Sequence, residues 1–290
     1  MKEFKGCGTA LFTPFKNNEV DLNAMAACVR RQVLAGIDFL VPLGTTGETP
    51  TLSDTEKLDV FHCTRENAGG LPVVVGVGTN SVAGTVANIR LLHEADAFLV
   101  VAPYYNKPPQ RGMYEYFRAV AGETDKPVIL YNVPGRTGSN IEAGTTLRLA
   151  SDVPNIVAIK EASGKIEQIE EILAGAPEGF AVLSGNDDDT FALMQKGAAG
   201  VISVASNVVP KLMADFTHAL MQGRIEEASA KDKTLHDLFV TLFIEANPIP
   251  GKAAMSLMGL MENSLRLPLM KALPETESKM ESVLKNLDVL

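Results

Sequence analysis

The chain repeats one pattern eight times: a short apolar segment, a loop, and then a segment with helical periodicity. Alternation of this kind is typical of parallel strands that are covered by helices. Eight units within roughly 220 residues favour a closed (β/α)₈ TIM barrel over an open doubly wound sheet. The predicted strands are four to six residues long, and they are residues 8–12, 39–43, 72–77, 97–102, 128–132, 156–160, 181–184 and 200–204.

The end of the chain has a different pattern, because residues after 225 show helical periodicity only, in segments 226–243, 252–261 and 275–287. No Ser/Gly-rich linker separates this part from the βα repeats. We therefore predict a barrel catalytic domain over residues 1–224 and a C-terminal helical region, 225–290, that packs on the barrel.

Composition excludes several classes of function. The formal net charge of −9 argues against nucleic acid and anionic membranes as partners. No apolar stretch is long enough to cross a bilayer, and residues 1–5 lack the apolar core of a signal peptide. The three cysteines are widely scattered and fit neither a disulfide framework nor a zinc site. We therefore expect a cytoplasmic protein.

In a (β/α)₈ barrel the active site lies at the carboxyl ends of the strands. Polar and ionisable groups follow most of the predicted strands, in segments 44–48, 103–108, 131–137, 184–187 and 202–203, and Lys160 ends the sixth strand. A lysine in this position is either the first solvated residue after a strand or a nucleophile, because a desolvated amine can form a Schiff base with a carbonyl group.

The other groups also have two interpretations. The Gly-Thr-Thr-Gly segment 44–47 is either a tight turn or a cradle for a carboxylate. Tyr131 is either a core aromatic residue or a hydroxyl that reaches the substrate of the lysine, and Arg136 suits a bidentate carboxylate contact. Glu161 is expected on the face opposite Lys160, in a structural role. The aspartate run 187–189 is more typical of a solvated helix start than of a metal site.

Six motifs together resemble the pyruvate-dependent class I aldolase and lyase superfamily, and within it the dihydrodipicolinate synthase family. The similarity runs in order from Gly8 to residues 265–268, which is nearly the whole chain. Arg136 selects the branch, since the sialic acid lyase branch typically lacks it and has Ser at the position of Thr45. The motifs are GTTGE at 44–48, YYNKP at 104–108, YNVPGRTG at 131–138, IKEASG at 159–164, LSG at 183–185 and GVIS at 200–203.

The resemblance implies roles for the pyruvate half of a reaction. Lys160 would form the Schiff base with pyruvate, and Thr45 and Thr46 would hold the pyruvate carboxylate. Tyr131, Thr46 and Tyr105 would form a proton relay. In this family the tyrosine that matches Tyr105 comes from a neighbouring subunit of a homotetramer built as a dimer of dimers.

The resemblance also implies the second substrate. The enamine would condense with aspartate semialdehyde, whose carboxylate Arg136 would hold, in lysine and diaminopimelate biosynthesis. Gly185 and Ile202 would line the pyruvate site. No metal or organic cofactor is expected, because the lysine itself supplies the electron sink. The alternatives are a sister aldolase acting on a 2-oxo sugar acid and a non-catalytic barrel that binds a small acid, although the latter would be expected to lose the lysine or the tyrosine.

A regulatory expectation follows from a departure from the family pattern. Many members are inhibited by lysine at a subunit interface, and the lysine-sensitive bacterial pattern has a glutamate at the position of Gly84 and histidines at the positions of Asp54 and Lys57. Asn80 and Tyr104 match that pattern. Because a ligand ammonium without a charge partner is costly to bury, we expect lysine to inhibit weakly or not at all.

Overall fold

The structure is a computed structural model that describes residues 4–290 of the chain. The expectation about a signal peptide concerns residues 1–5, of which 1–3 lie outside the described residues. The strands of the described part are β1 Gly6–Ala10, β2 Phe15–Lys16, β3 Glu19–Val20, β4 Phe39–Val41, β5 Val74–Gly76, β6 Ala97–Val101, β7 Val128–Asn132, β8 Ile156–Glu161, β9 Ala181–Ser184 and β10 Gly200–Ser203.

Helices follow the strands along the chain and continue alone after the last one. They are α1 Leu22–Ala35, α2 Asp54–Asn67, α3 Val82–Leu91, α4 Gln110–Ala121, α5 Pro134–Thr137, α6 Ala143–Asp152, α7 Ile166–Gly175, α8 Thr190–Gln195, α9 Pro210–Met221, α10 Ile225–Thr241, α11 Ile249–Leu257 and α12 Pro274–Asn286. This order confirms the predicted class, an α/β fold of the (β/α)₈ barrel type with a C-terminal helical extension.

The described chain divides into two compact units. The central unit comprises residues 74–202 together with 4 and 5, and the terminal unit comprises residues 6–73 and 203–290. The predicted boundary at residue 224 follows α9 and stays a prediction.

In the central unit, strands β5 to β10 run parallel, and each pairs with the next in sequence order. Nearly all of their side chains are buried, which explains why these strands are continuously apolar rather than alternating. The register of β7 against β8 pairs Tyr131 with Lys160 and Asn132 with Glu161. Two neighbouring strands therefore end with polar residues side by side.

In the terminal unit, β1 pairs in parallel with β4, and β2 and β3 form a small antiparallel hairpin. Helix α2 begins with a capping box: Ser53 accepts from the backbone N–H of Glu56, and the Glu56 carboxylate accepts from the backbone N–H of Ser53. Helix α10 packs against α9 and α12, and α11 packs against α12.

Two features were absent from the sequence prediction. The hairpin strands β2 and β3 have two residues each, and helix α5 has four, so none of them carries a detectable period. Within residues 4–290, no helix combines the length and the apolar character that crossing a membrane requires.

Candidate active site

Lys160 is the penultimate residue of β8, and its side chain is only 5% exposed. Its Nζ atom lies 4.4 Å from the centroid of the Tyr131 ring. The pairing of β7 with β8 produces this contact, because residues opposite each other on neighbouring strands project to the same face. An aromatic face accommodates a cationic amine without neutralising it, as a carboxylate would.

The Lys160 amine and the Tyr131 hydroxyl form no hydrogen bond or ion pair with other residues of the described central unit. Neither polar group is therefore held by its own unit in an interaction that a substrate would have to break.

Gly185 follows β9 and borders the lysine side chain. Its backbone N–H donates to the carbonyl oxygen of Glu161 at 2.7 Å. A Cβ atom at this position would lie 3.0 Å from Cε of Lys160 and 2.5 Å from Cβ of Ala162. A side chain at 185 would thus collide with Ala162 and crowd both the carbonyl oxygen of Glu161 and the lysine, which explains the glycine. Ile202 is fully buried in β10.

Glu161 lies in a buried polar network, in agreement with the structural role predicted for it. Its carboxylate accepts hydrogen bonds from Nδ2 of Asn132 at 3.0 and 3.1 Å, from Nε2 of Gln168 at 3.0 Å and from the backbone N–H of Ser163 at 3.0 Å. Burial raises the pKa of Glu161, and these hydrogen bonds oppose the change. The network ties β7, β8 and α7 together beside the Tyr131–Lys160 pair.

Arg136 and Tyr105 occupy exposed loop positions of the same unit. Arg136 lies in the short helix α5, which begins two residues after β7, and it is exposed. Tyr105 is 87% exposed and has a positive φ of 73°. Its backbone N–H donates to the carbonyl oxygen of Thr137 at 3.2 Å, which connects the two loops.

Thr45 and Thr46 belong to the terminal unit, in a short 3₁₀ turn that follows β4. Thr45 is exposed, whereas Thr46 is buried, and its Oγ1 accepts a hydrogen bond from Nδ2 of Asn247 at 2.9 Å. The next residue, Gly47, is held through its carbonyl oxygen by the hydroxyl of Thr13 at 2.8 Å. The segment is therefore an ordered turn with one exposed and one buried hydroxyl.

The aspartate run at 187–189 belongs to a local turn in which Nδ2 of Asn186 donates to Asp189. Among residues 4–290, no group of three or more His, Cys, Asp or Glu side chains is placed to hold a metal ion.

Three further residues support these groups through hydrogen bonds and were not predicted from the sequence, namely Asn132, Gln168 and Asn247. Asn132 had a usable signal, since strand alternation places it next to Tyr131 but on the opposite face. Asn247 lies about 200 positions from Thr46 in the sequence, and no local pattern connects the two.

Comparisons with known proteins agree with one another. The family described as Dihydrodipicolinate synthetase family matches residues 3–287. The 4-hydroxy-tetrahydrodipicolinate synthase of Thermotoga neapolitana is 47% identical, and the match covers 99% of this chain and 100% of the relative. The crystal structure of dihydrodipicolinate synthase from Thermotoga maritima has a TM-score of 0.98 at 44% identity and full coverage of both chains. A solved structure described as the first monomeric dihydrodipicolinate synthase variant has a TM-score of 0.97 at 44% identity and covers 99% of this chain and 98% of its own.

Proposed function

The chain belongs to the dihydrodipicolinate synthetase family, and on this premise we propose that it condenses pyruvate with aspartate semialdehyde, as a 4-hydroxy-tetrahydrodipicolinate synthase does. It is an enzyme of the class I aldolase type, in which a lysine amine forms a Schiff base with the keto substrate. This reaction belongs to lysine and diaminopimelate biosynthesis.

One observation carries the proposal, namely a buried lysine amine that faces the ring of Tyr131 at the end of a parallel strand. The carboxyl end of a strand is where enzymes of this fold class place their chemistry. A lysine that only supported the fold there would be expected to pair with a carboxylate, because a buried unpaired charge is costly.

The reaction on Lys160 follows from the chemistry of amines and carbonyl compounds. The neutral amine adds to C2 of pyruvate, and protonation of the resulting hydroxyl group followed by loss of water leaves an iminium ion. Loss of a proton from the methyl carbon gives an enamine, and that carbon then forms a bond to the aldehyde carbon of aspartate semialdehyde. Attack of the substrate's own amino group on C2 closes the ring and releases the amine of Lys160.

We assign the remaining roles by chemical type. Tyr131, with Thr46 and Tyr105, transfers the protons that these steps require, since hydroxyl groups can both donate and accept. Thr45 and Thr46 bind the pyruvate carboxylate, and the backbone at Gly185 and Ile202 lines the pyruvate site. Arg136 binds the carboxylate of aspartate semialdehyde, for which a planar guanidinium group offers two parallel donors.

We also propose a homotetramer, a dimer of dimers, located in the cytoplasm. Tyr105 is almost fully exposed in a left-handed backbone conformation, which suits a residue that completes the site of a neighbouring subunit. Sedimentation equilibrium would test the assembly, and a monomer that retains full activity would overturn this role for Tyr105. Cys7, Cys28 and Cys63 form no disulfide bond within residues 4–290, which is compatible with a reducing compartment.

The decisive experiment is borohydride reduction in the presence of pyruvate, followed by peptide mapping. We expect the reduced pyruvyl adduct on the peptide that contains Lys160, and no adduct in Lys160→Ala. The matched control is Lys165→Ala, which removes an exposed lysine five positions further along the chain and should leave the adduct intact. An adduct that persists in Lys160→Ala would overturn the assignment.

A substrate screen separates the proposed synthase from the alternative aldolase for 2-oxo sugar acids. The presence of an arginine at position 136 and the names of the similar proteins favour the synthase. We expect turnover with aspartate semialdehyde, and faster turnover with a sugar acid would favour the alternative.

A further inference from the structure

The turn that carries Thr45 and Thr46 is held in a costly backbone conformation. Leu43 and Glu48 bracket it with positive φ angles of 59° and 53°. Non-glycine residues seldom adopt this conformation, and it persists only where surrounding contacts over-determine it. The contacts made by the turn in the terminal unit are therefore informative about how the hydroxyl groups are placed.

The strongest of these contacts is a fully buried ion pair between Glu48 and Lys252. Lys252 lies in α11, and its Nζ is 2.5 Å from Oε1 of Glu48, with both side chains inaccessible to solvent. The amine also donates to the carbonyl oxygen of Ser264 at 2.9 Å and lies 4.2 Å from the ring centroid of Phe15. The second carboxylate oxygen of Glu48 accepts from the backbone N–H of Arg266 at 3.1 Å.

The segment that leads into α11 provides a second contact to the turn. Asn247 lies just before α11 and donates from Nδ2 to Oγ1 of Thr46 at 2.9 Å, as described above. Thr46 and Glu48 are two residues apart on the turn, and Asn247 and Lys252 are five residues apart at the start of the helix. The first part of α11 and the segment before it thus contact the turn at the hydroxyl of Thr46 and at the carboxylate of Glu48.

Burial of this pair is energetically demanding. Desolvation lowers the pKa of Lys252 to about 8, while the charge of Glu48 opposes the change. A buried ion pair often adds little net stability compared with apolar side chains of similar size, whereas removal of one partner leaves an uncompensated charge. Stability alone is thus a weak explanation for the pair, and the geometry of the turn is a better one.

We propose that Glu48 and Lys252 are positioning residues that, together with Asn247, fix the turn so that the hydroxyl of Thr46 has the orientation needed for pyruvate. The inference rests on the proposed function, because it assigns pyruvate to Thr46. The C-terminal helical extension then contributes to catalysis through α11 rather than serving only as a cover. Neither Glu48 nor Lys252 contacts substrate in this role.

Four variants test the proposal: Glu48→Gln, Lys252→Met, the double variant and Asn247→Ala. The first keeps an acceptor for Arg266 but removes the charge, and the last leaves the ion pair intact while removing the donor to Thr46. The matched control is Met280→Ala, which truncates a fully buried residue of α12 and lowers stability while Glu48, Lys252 and Asn247 all remain in place.

We expect each single variant to lower kcat/KM for pyruvate by about 10- to 100-fold, the size of effect that misplacement of a group by an ångström produces. The KM for aspartate semialdehyde should stay within about twofold, since Arg136 is untouched. The double variant should be no worse than either single variant, because the two residues act as a unit. Met280→Ala should lower the thermal midpoint but keep kcat/KM for pyruvate.

Hydrogen exchange of residues 44–48, measured by mass spectrometry, gives a readout independent of turnover. We expect faster exchange there in Glu48→Gln and Asn247→Ala but not in Met280→Ala. If Glu48→Gln and Asn247→Ala both keep the exchange rates and the kcat/KM of the wild type, the positioning role is overturned. This test does not require that Lys252→Met folds. Faster exchange in Glu48→Gln and Asn247→Ala, together with a wild-type enzyme that forms no pyruvyl adduct, would instead overturn the proposed function and, with it, the assignment of pyruvate to Thr46.

Discussion

The amine of Lys160 lies over the ring of Tyr131, 4.4 Å from its centroid, at the paired ends of β8 and β7. The strand pairing holds this relationship in place, because both side chains project from adjacent backbone positions that share one register. The two groups that we propose as nucleophile and proton donor are thus fixed relative to each other, which would reduce the entropy lost on reaching the transition state.

The first prediction concerns the hydroxyl of Tyr131. Tyr131→Phe retains the ring under the Lys160 amine but removes the group assigned to proton transfer. We expect turnover to fall by about 10²- to 10⁴-fold, the usual contribution of general acid–base catalysis, while pyruvate still binds. Steady-state kinetics together with borohydride trapping separate the two effects, and turnover within a few-fold of the wild type would refute the role.

The second prediction concerns Arg136. Arg136→Ala removes the guanidinium group assigned to the carboxylate of aspartate semialdehyde. We expect the KM for this substrate to rise by about 10-fold or more, in line with the loss of a charge-assisted contact worth about 1.5–3 kcal/mol, with little change for pyruvate. Arg118→Ala, which removes an exposed arginine paired with Glu115, is the control. Equal losses for both substrates would count against the assignment.

The third prediction concerns Gly185. Gly185→Ala places a Cβ atom 2.5 Å from Cβ of Ala162 and 3.0 Å from both the carbonyl oxygen of Glu161 and Cε of Lys160, so Ala162 has to shift and the lysine side chain has to move by a few tenths of an ångström. We expect adduct formation with pyruvate to slow by about 10-fold or more, because a displaced nucleophile loses its approach to the carbonyl carbon. In Gly144→Ala the new atom meets no neighbour within 4 Å, and the rate of adduct formation should not change. Equal rates in the two variants would contradict the proposed proximity.

The sequence predicted the strands of the central unit closely, since β7 and β9 begin and end at the predicted residues. Continuous apolar runs bounded by turn residues are a local signal, and so was the lysine at the end of β8. The support of the site was not predictable in this way. The donor to Thr46 is Asn247, and the partner of Glu48 is Lys252, and both pairs join residues about 200 positions apart. Such contacts depend on tertiary packing and cannot be predicted from hydrophobic periodicity in the sequence.

The fourth prediction concerns stability in acid. Arg266 holds the Glu56 carboxylate through hydrogen bonds and lowers its pKa from 4.5 to about 2. Because the folded-state pKa is the lower one, the contribution of this pair is complete above pH 4.5 and is lost as the pH falls towards about 2. We expect Glu56→Gln to be less stable than the wild type by about 1.5–3 kcal/mol at pH 7, and the difference to vanish near pH 2.

Denaturant unfolding of both proteins at several pH values measures this difference. Glu281→Gln is the control, because its carboxylate forms an exposed pair with Lys285, and exposed pairs contribute little. A stability difference between Glu56→Gln and the wild type that stays constant from pH 7 to pH 2 would contradict the linkage.

The last prediction is that lysine inhibits this enzyme weakly or not at all at millimolar concentration. At position 84, where the lysine-sensitive pattern has a glutamate, a Cβ atom would lie 2.8 Å from Oγ1 of Thr79 and 3.1 Å from Oγ of Ser81, the hydroxyl that caps α3, so these hydroxyls would have to move to admit a side chain. Asp54 is already paired with Lys57 at 2.9 Å, so its charge is partly compensated before any ligand ammonium arrives. Without a free carboxylate partner, the cost of desolvating that ammonium is not offset. An inhibition curve with lysine near saturating pyruvate measures the effect, and a midpoint below a millimolar would show that the site binds lysine without the glutamate.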